Sequence, residues 1–290
     1  MSSHRLRLPQ QTKLALLFLW VTTIAVVVAL GYNVVHQVQD IPFKSDLSRF
    51  LNMLVVDTLA NHIIWEIILS GLVVFCLTVT GKHIIHQFRM HYKWKRYVSA
   101  KKIQCITNPV IKSFRDKNIR VLIIEESAWI AMTVGFFRPV IVVSTSMIER
   151  FQDNELTAIL YHEYYHYKSF HPLQLFIMHM TGQALAFLPV IKEIVHHYQI
   201  WMELLADRYA ARQMGSEVPL AEVLLSITRQ QRLDVPVFSV HFANEAVNYR
   251  LIQLIDSKHE LNVPLFNWSK MILSIAVLQI IFIIFINYCI

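Results

Sequence analysis

Two imidazoles set four residues apart, with a carboxylate beside the first, make up the stretch Tyr161-His162-Glu163-Tyr164-Tyr165-His166. On a helix, positions i and i+4 lie one above the other, so His162 and His166 project from one face and can bind a single zinc ion. Glu163 is then left beside it to polarise water. The chemistry in view is hydrolysis, with Glu163 as base. The helix is predicted by the stripe Leu156, Ile159, Leu160, His162, His166, which recurs at spacings of three and four, with Asp153 or Asn154 as N-cap. Without a metal, the same stripe is an amphipathic core helix with two polar histidines.

A catalytic zinc takes three protein ligands and keeps one position open. Glu203, in Glu203-Leu204-Leu205-Ala206-Asp207, is the third ligand expected, because a glutamate on a second helix completes a His2Glu set. Asp207 shares its face, four residues on, and is placed to hydrogen-bond the free nitrogen of a ligand histidine. His171, His179, His196 and His197 are the competing donors. Taken singly, each is more often structural or on the surface.

His162-Glu163-x-x-His166 and Glu203-x-x-Ala206-Asp207, preceded by Gly135-Phe136-Phe137-Arg138-Pro139-Val140-Ile141-Val142, resemble the membrane metallopeptidases typified by the beta-lactam-sensing antirepressor proteins BlaR and MecR. The resemblance covers about residues 121–207, with Arg250, Leu251 and Ile252 as a further match. It implies that His162, His166 and Glu203 are zinc ligands and Glu163 the catalytic base. One departure is His171, where that family usually carries an aspartate.

The elements that must position these residues belong to a chain rich in apolar residues: 290 residues, 55% hydrophobic, with only 6 glycines and a mean hydropathy of +0.42. Arg5, Arg7 and Lys13 precede an uncharged run over 14–35, read as a retained signal anchor. A mixed-charge loop with Asp40, Lys44, Asp46, Arg49 and Asp57 leads to a second apolar run over 63–81. Glu66 lies inside that run, four residues after His62, and reads as a bundle-internal hydrogen bond, with a second metal or proton site as the alternative. Lys82, Arg89, Lys93, Lys95, Arg96, Lys101 and Lys102 follow without an acidic residue, a cytoplasmic collar against anionic lipid. The net charge of +7 needs no nucleic acid to account for it, and none is expected as partner.

Short β-branched runs over 121–124 and 140–143, separated by Gly135 and Pro139, read as strands of a small sheet. The strand over 140–144 is expected to offer its edge to an extended peptide or to be a buried core strand, and both can hold if one edge is open. The uncharged stretch 173–191 is long enough to span a membrane, yet a span would put Glu203 on the far side from the histidines. Gly182, Pro189 and the polar line His179, Gln183 favour a helical hairpin instead, over 173–200. Helices follow over 221–229 and 247–254. His241 and Arg250 can anchor substrate or stabilise an oxyanion, though a surface role fits each as well. A last apolar run, 271–290, is a third spanning helix that would emerge outside, and with no sensor domain after it antibiotic sensing is not expected. Cys76, Cys105 and Cys289 are too scattered for a disulfide framework and read as packing residues.

The expected fold is a mainly α integral membrane protein with a small α+β zincin-like domain. Residues 1–102 would hold two transmembrane helices and the basic collar, 103–262 a cytosol-facing metallopeptidase domain, and 263–290 a C-terminal transmembrane helix. The expected function is zinc endopeptidase action on a protein or peptide at the cytoplasmic side of the cell membrane, in signal transduction. The CAAX prenyl protease and membrane heat-shock protease group shares both zinc motifs, but the short interval from His166 to Glu203 and the 135–142 stretch disfavour it. A non-catalytic membrane scaffold that keeps the zinc fold is the reading from another class.

Overall fold

The computed structural model describes residues 7–40, 62–103, 108–234, 241–256 and 261–289. The loop expected around Asp46 and the side chains of His62 and Glu66 lie outside the described residues. Among the described residues the chain is mostly helical with one four-stranded sheet, and it divides into two units, Met1–Gln10, His86–Met178 and His196–Pro264 against Gln11–Ile85, His179–Val195 and Leu265–Ile290.

The second of these units carries the long apolar helices. α1 (Gln10–Asp40) and α2 (His62–Lys101) contain stretches, Gln10–Tyr32 and Ile67–Lys101, long and apolar enough to cross a membrane. α2 does not stop where its apolar run stops. Its 40 residues amount to about 60 Å at 1.5 Å per residue, twice a hydrocarbon core. The helix runs on through the cationic stretch because Lys and Arg are good helix formers once solvated, a continuation that hydropathy does not register.

Residues 171–200 form a helical hairpin. α6 (His171–Ala184) covers 14 residues, about 21 Å, which is short of a span. A turn follows, in which Leu188 N–H donates to Leu185 O at 2.9 Å, and Pro189 opens the return helix α7 (Pro189–Met214) at a position where its missing N–H costs nothing. The hairpin tip is tied into the apolar unit. Cys76 Sγ–H donates to Ala184 O at 3.3 Å, and Val190 N–H donates to Ser274 Oγ at 3.1 Å. Ser274 lies on α10 (Trp268–Cys289), where Lys270 also pairs with Glu193.

In the other unit the strand order is β1-β2-β4-β3, for β1 (Lys102–Ile103), β2 (Val121–Ile124), β3 (Ala131–Val134) and β4 (Val140–Ser144). β2 and β4 run parallel, with Val121 opposite Ile141 and Ile124 opposite Ser144. Their nearly continuous apolar sequences, Val-Leu-Ile-Ile and Val-Ile-Val-Val, follow from burial on both faces. One face packs Ile123, Ile141 and Val143 on α3 (Pro109–Asp116) and α5 (Asp153–Lys168); the other packs Ile124 and Val142 on Val98 and Trp94 of α2. α4 (Thr145–Arg150) directly follows β4, capped by Ser144. β3 pairs antiparallel to β4, with Thr133 opposite Ile141.

β4 is therefore the buried strand of the two expectations, bonded on both sides. An extended peptide cannot add to it. Among the described residues the sheet's edge strands are β1 and β3, and β3, beside β4, is absent from the sequence reading because four residues between turns carry little periodicity. The β3–β4 turn depends on Gly135, whose φ is +99° and where a Cβ would meet Arg138 O at 2.9 Å.

Candidate metal site

The N-cap of α5 lies one residue before Asp153 and two before Asn154, the expected caps. Gln152 is the N-cap, and its N–H donates to the Glu155 carboxylate at 2.8 Å, so the reach of a glutamate decides the boundary rather than Asp153 or Asn154. Leu156 and Leu160 bury fully among the residues that cover the sheet, while Ala158 packs with Ala210 of α7, Leu220 and Leu224 of α8 (Val218–Asp234), and Leu254 of α9 (His241–Ile255). Held on both flanks, α5 has one rotational setting. It puts His162, Glu163 and His166 inside, each under a tenth exposed.

α7 brings Glu203 to the same place. Glu203 Oε2 lies 3.4 Å from His162 Nε2, Glu203 Oε1 lies 3.6 Å from His166 Nε2, and the two ring nitrogens are 3.1 Å apart. All three donors fall within 4.8 Å of one another. For a small divalent ion with bonds of about 2.0–2.1 Å, the ligand atoms of a tetrahedral site stand about 3.3 Å apart, so the spacing fits. The chemistry fits as well, since two imidazole nitrogens and a carboxylate converge on one point. The Glu203 side chain is 32% exposed against 9% for His162, which leaves the open side of the group next to the glutamate.

The model of the BlaR1 peptidase M56 family matches residues 43–254. The chain belongs to this family. No curated protein matches the chain. Family membership makes the chain a membrane-associated metallopeptidase, and the three converging donors are a group that could hold its metal.

Around this group the peptidase carries a ring of carboxylates and one arginine. Asp207, fully buried, lies with Oδ1 2.8 Å from His162 Nδ1. Arg250 of α9 donates from Nε to Asp207 Oδ2 at 2.7 Å and from Nη2 to Asp207 Oδ1 at 2.9 Å, while its Nη1 lies 3.1 Å from Glu203 Oε2. The guanidinium thus holds both acidic residues of the second motif. Three residues on, Gln253 Nε2 donates to Leu204 O at 2.9 Å, which fixes the same face of α9 on α7. Nothing in the sequence joins position 250 to 207; only the fold does.

These contacts set the protonation of the site. Burial disfavours charge on His162, but hydrogen bonds to Asp207 and Glu203 outweigh it and lift the ring to about 9. Burial leads in the other direction on His166, which falls to about 4 with the charges of His162 and Arg250 adding to it, and on His171, which falls to about 3 with those of His166 and His162 adding to it. Burial would raise Glu203 and Asp207; the charges of His166 and Arg250 on the first, and of Arg250 on the second, hold both below the ordinary carboxylate range. Burial pushes Glu163 up.

Glu163 has a partner that the sequence did not reveal. Thr133 Oγ1 of the edge strand lies 2.9 Å from Glu163 Oε2 and 2.8 Å from Glu163 O, thirty positions away in the chain. Of the other expected donors, His171 Nδ1 lies 2.8 Å from His166 Nδ1, turned to the back of that ring, and His197 donates to Pro264 O at 3.1 Å. His179 and His196 are not in the donor group found among the described residues. The side chain of His241 lies outside the described residues.

Proposed function

We propose that the chain is a membrane-embedded zinc endopeptidase that cleaves a protein or peptide on the cytoplasmic side, as a regulator in signal transduction. The observation that carries this reading is the convergence of His162, His166 and Glu203 beside Glu163. Zinc held there supplies Lewis-acid activation of water and of the scissile carbonyl. Glu163 takes the proton from the attacking water and returns it to the leaving amine, a role that its raised affinity for protons suits. Thr133 keeps its carboxylate turned to the site. Asp207 orients His162, and Arg250 holds Asp207 and Glu203 in place; a guanidinium so engaged acts on the site through these carboxylates. An extended substrate would pair with the exposed edge of β3, which places its backbone next to the base.

The cationic stretch from Lys82 to Lys102 supports a cytoplasmic location for the amino terminus and the site, with α10 leading outward. The substrate is sought by terminal-peptide labelling of the membrane proteome in cells carrying wild type or Glu163→Gln. A new terminus on a membrane or cytosolic protein in wild type alone supports the reading; identical termini in both favour a scaffold that keeps the fold without cleaving.

A further inference from the structure

We propose that His171 is a positioning residue for the metal site, accepting the Nδ1 proton of His166 and thereby fixing which nitrogen of that ring faces the metal; the inference rests on the metal reading above. His166 Nε2 points into the donor group, 3.1 Å from His162 Nε2 and 3.6 Å from Glu203 Oε1. A ring that offers its Nε2 lone pair to a cation carries its hydrogen on Nδ1. Among the described residues the acceptor against that hydrogen is His171 Nδ1 at 2.8 Å, which must therefore be the unprotonated nitrogen of its own ring.

The backbone is bent to make this contact. α5 ends at Lys168 with Ser169 as its C-cap, and Phe170 takes φ +53°, a left-handed conformation that a bulky residue adopts only when its surroundings impose it. Leu173 N–H and Gln174 N–H donate to Phe170 O at 3.1 Å, and Gln174 Nε2 donates to Ser169 O at 2.8 Å. The chain so turns between the two helices, and the first residue of α6 falls against the last turns of α5. His171 is 5% exposed there, its ring edge-on to Tyr165 with centroids 5.3 Å apart, which sets the plane of the imidazole. The two ligand histidines are then braced differently, His162 by the carboxylate of Asp207 and His166 by a second imidazole. One consequence is a site with one negative charge fewer than two carboxylate braces would give it.

The test is the zinc affinity of the full-length protein in detergent, by competition with a chromophoric chelator, for wild type, His171→Phe, His171→Leu and His171→Asn. Phenylalanine keeps a ring against Tyr165 but has no acceptor; asparagine loses the ring and keeps an acceptor oxygen. The account expects zinc binding about ten- to a hundred-fold weaker in His171→Phe and His171→Leu, the range for a lost partner behind a metal ligand, with His171→Asn close to wild type. Cobalt in place of zinc should show an altered visible spectrum in the two apolar variants and a wild-type spectrum in His171→Asn. A purely packing role predicts the reverse order, because the apolar variants fill the buried space better. Affinity in His171→Phe equal to wild type, or His171→Asn as weak as His171→Phe, overturns the inference while leaving the metal reading intact. A wild-type protein that binds no zinc overturns both.

Discussion

Arg250 and Asp207 meet edge to edge, two N–H groups on two carboxylate oxygens at 2.7 and 2.9 Å, with Asp207 fully buried. Removing the guanidinium takes away the larger share of the charge that compensates this buried carboxylate and leaves it to His162. Arg250→Leu should lower stability by about 3–5 kcal/mol, the usual result of breaking a buried pair from one side. Arg250→Lys, which keeps the charge but not the fork, should lie between Leu and wild type. Thermal or denaturant unfolding in detergent measures both, and equal stability of Arg250→Leu and wild type would refute the clamp.

The metal ligands and the base separate by mutation. Purified protein should hold about one zinc per chain, Glu203→Ala should lose most of it, and Glu163→Gln should keep it, because only the first removes a donor from the converging group. Metal analysis by mass spectrometry decides. Undiminished zinc in Glu203→Ala would remove Glu203 from the set and return His171 to consideration.

Metal binding should also displace a proton. His162, lifted to about 9, is protonated in the metal-free protein at neutral pH, whereas His166 near 4 is not. Zinc takes only the deprotonated ring, so below pH 9 it competes with one proton. Affinity should therefore rise about tenfold per pH unit between pH 6 and 8 and level off above 9. Calorimetry in buffers of different ionisation enthalpy reads the proton directly, and a count near zero at pH 7 would contradict the assignment.

Much of this site was legible along the chain where the signal is local. The stripe from Leu156 to His166 has helical period because its residues face one core, and the Val, Leu and Ile runs of β2 and β4 are apolar because both faces are covered. Glu203 and Asp207 sit four apart on one helix and could be paired with the histidines by the chemistry of a third ligand. The contacts that escaped are those made by tertiary proximity alone. Thr133 reaches Glu163 across thirty positions. Arg250 reaches Asp207 across forty-three, so along the chain it reads as a substrate or oxyanion contact or as a surface residue, and the clamp is not visible. His171 was weighed as a ligand, when the left-handed Phe170 turns it to the back of His166. The solvated half of α2 gave no hydropathy signal at all.

The membrane arrangement has its own test. Ser113 and Ser216 both lie in the unit that holds the site, one before α5 and one after α7. In a background lacking the native cysteines, single cysteines at these two positions should both be shielded from an impermeant thiol reagent in intact cells and react after permeabilisation. Labelling of both in intact cells would place the site outside, against the direction set by the cationic stretch.

The central claim is hydrolysis driven by Glu163, and purified protein tests it most directly. Glu163→Gln preserves size and hydrogen bonding while removing the charge that accepts the water's proton. Cleavage of a casein-like or membrane-protein substrate should fall by about two to four orders of magnitude, with zinc content and unfolding midpoint unchanged, and chelation should abolish the wild-type rate. Equal rates for the two zinc-loaded proteins, or no cleavage by either with a mutant indistinguishable from wild type in cells, would contradict the enzymatic account.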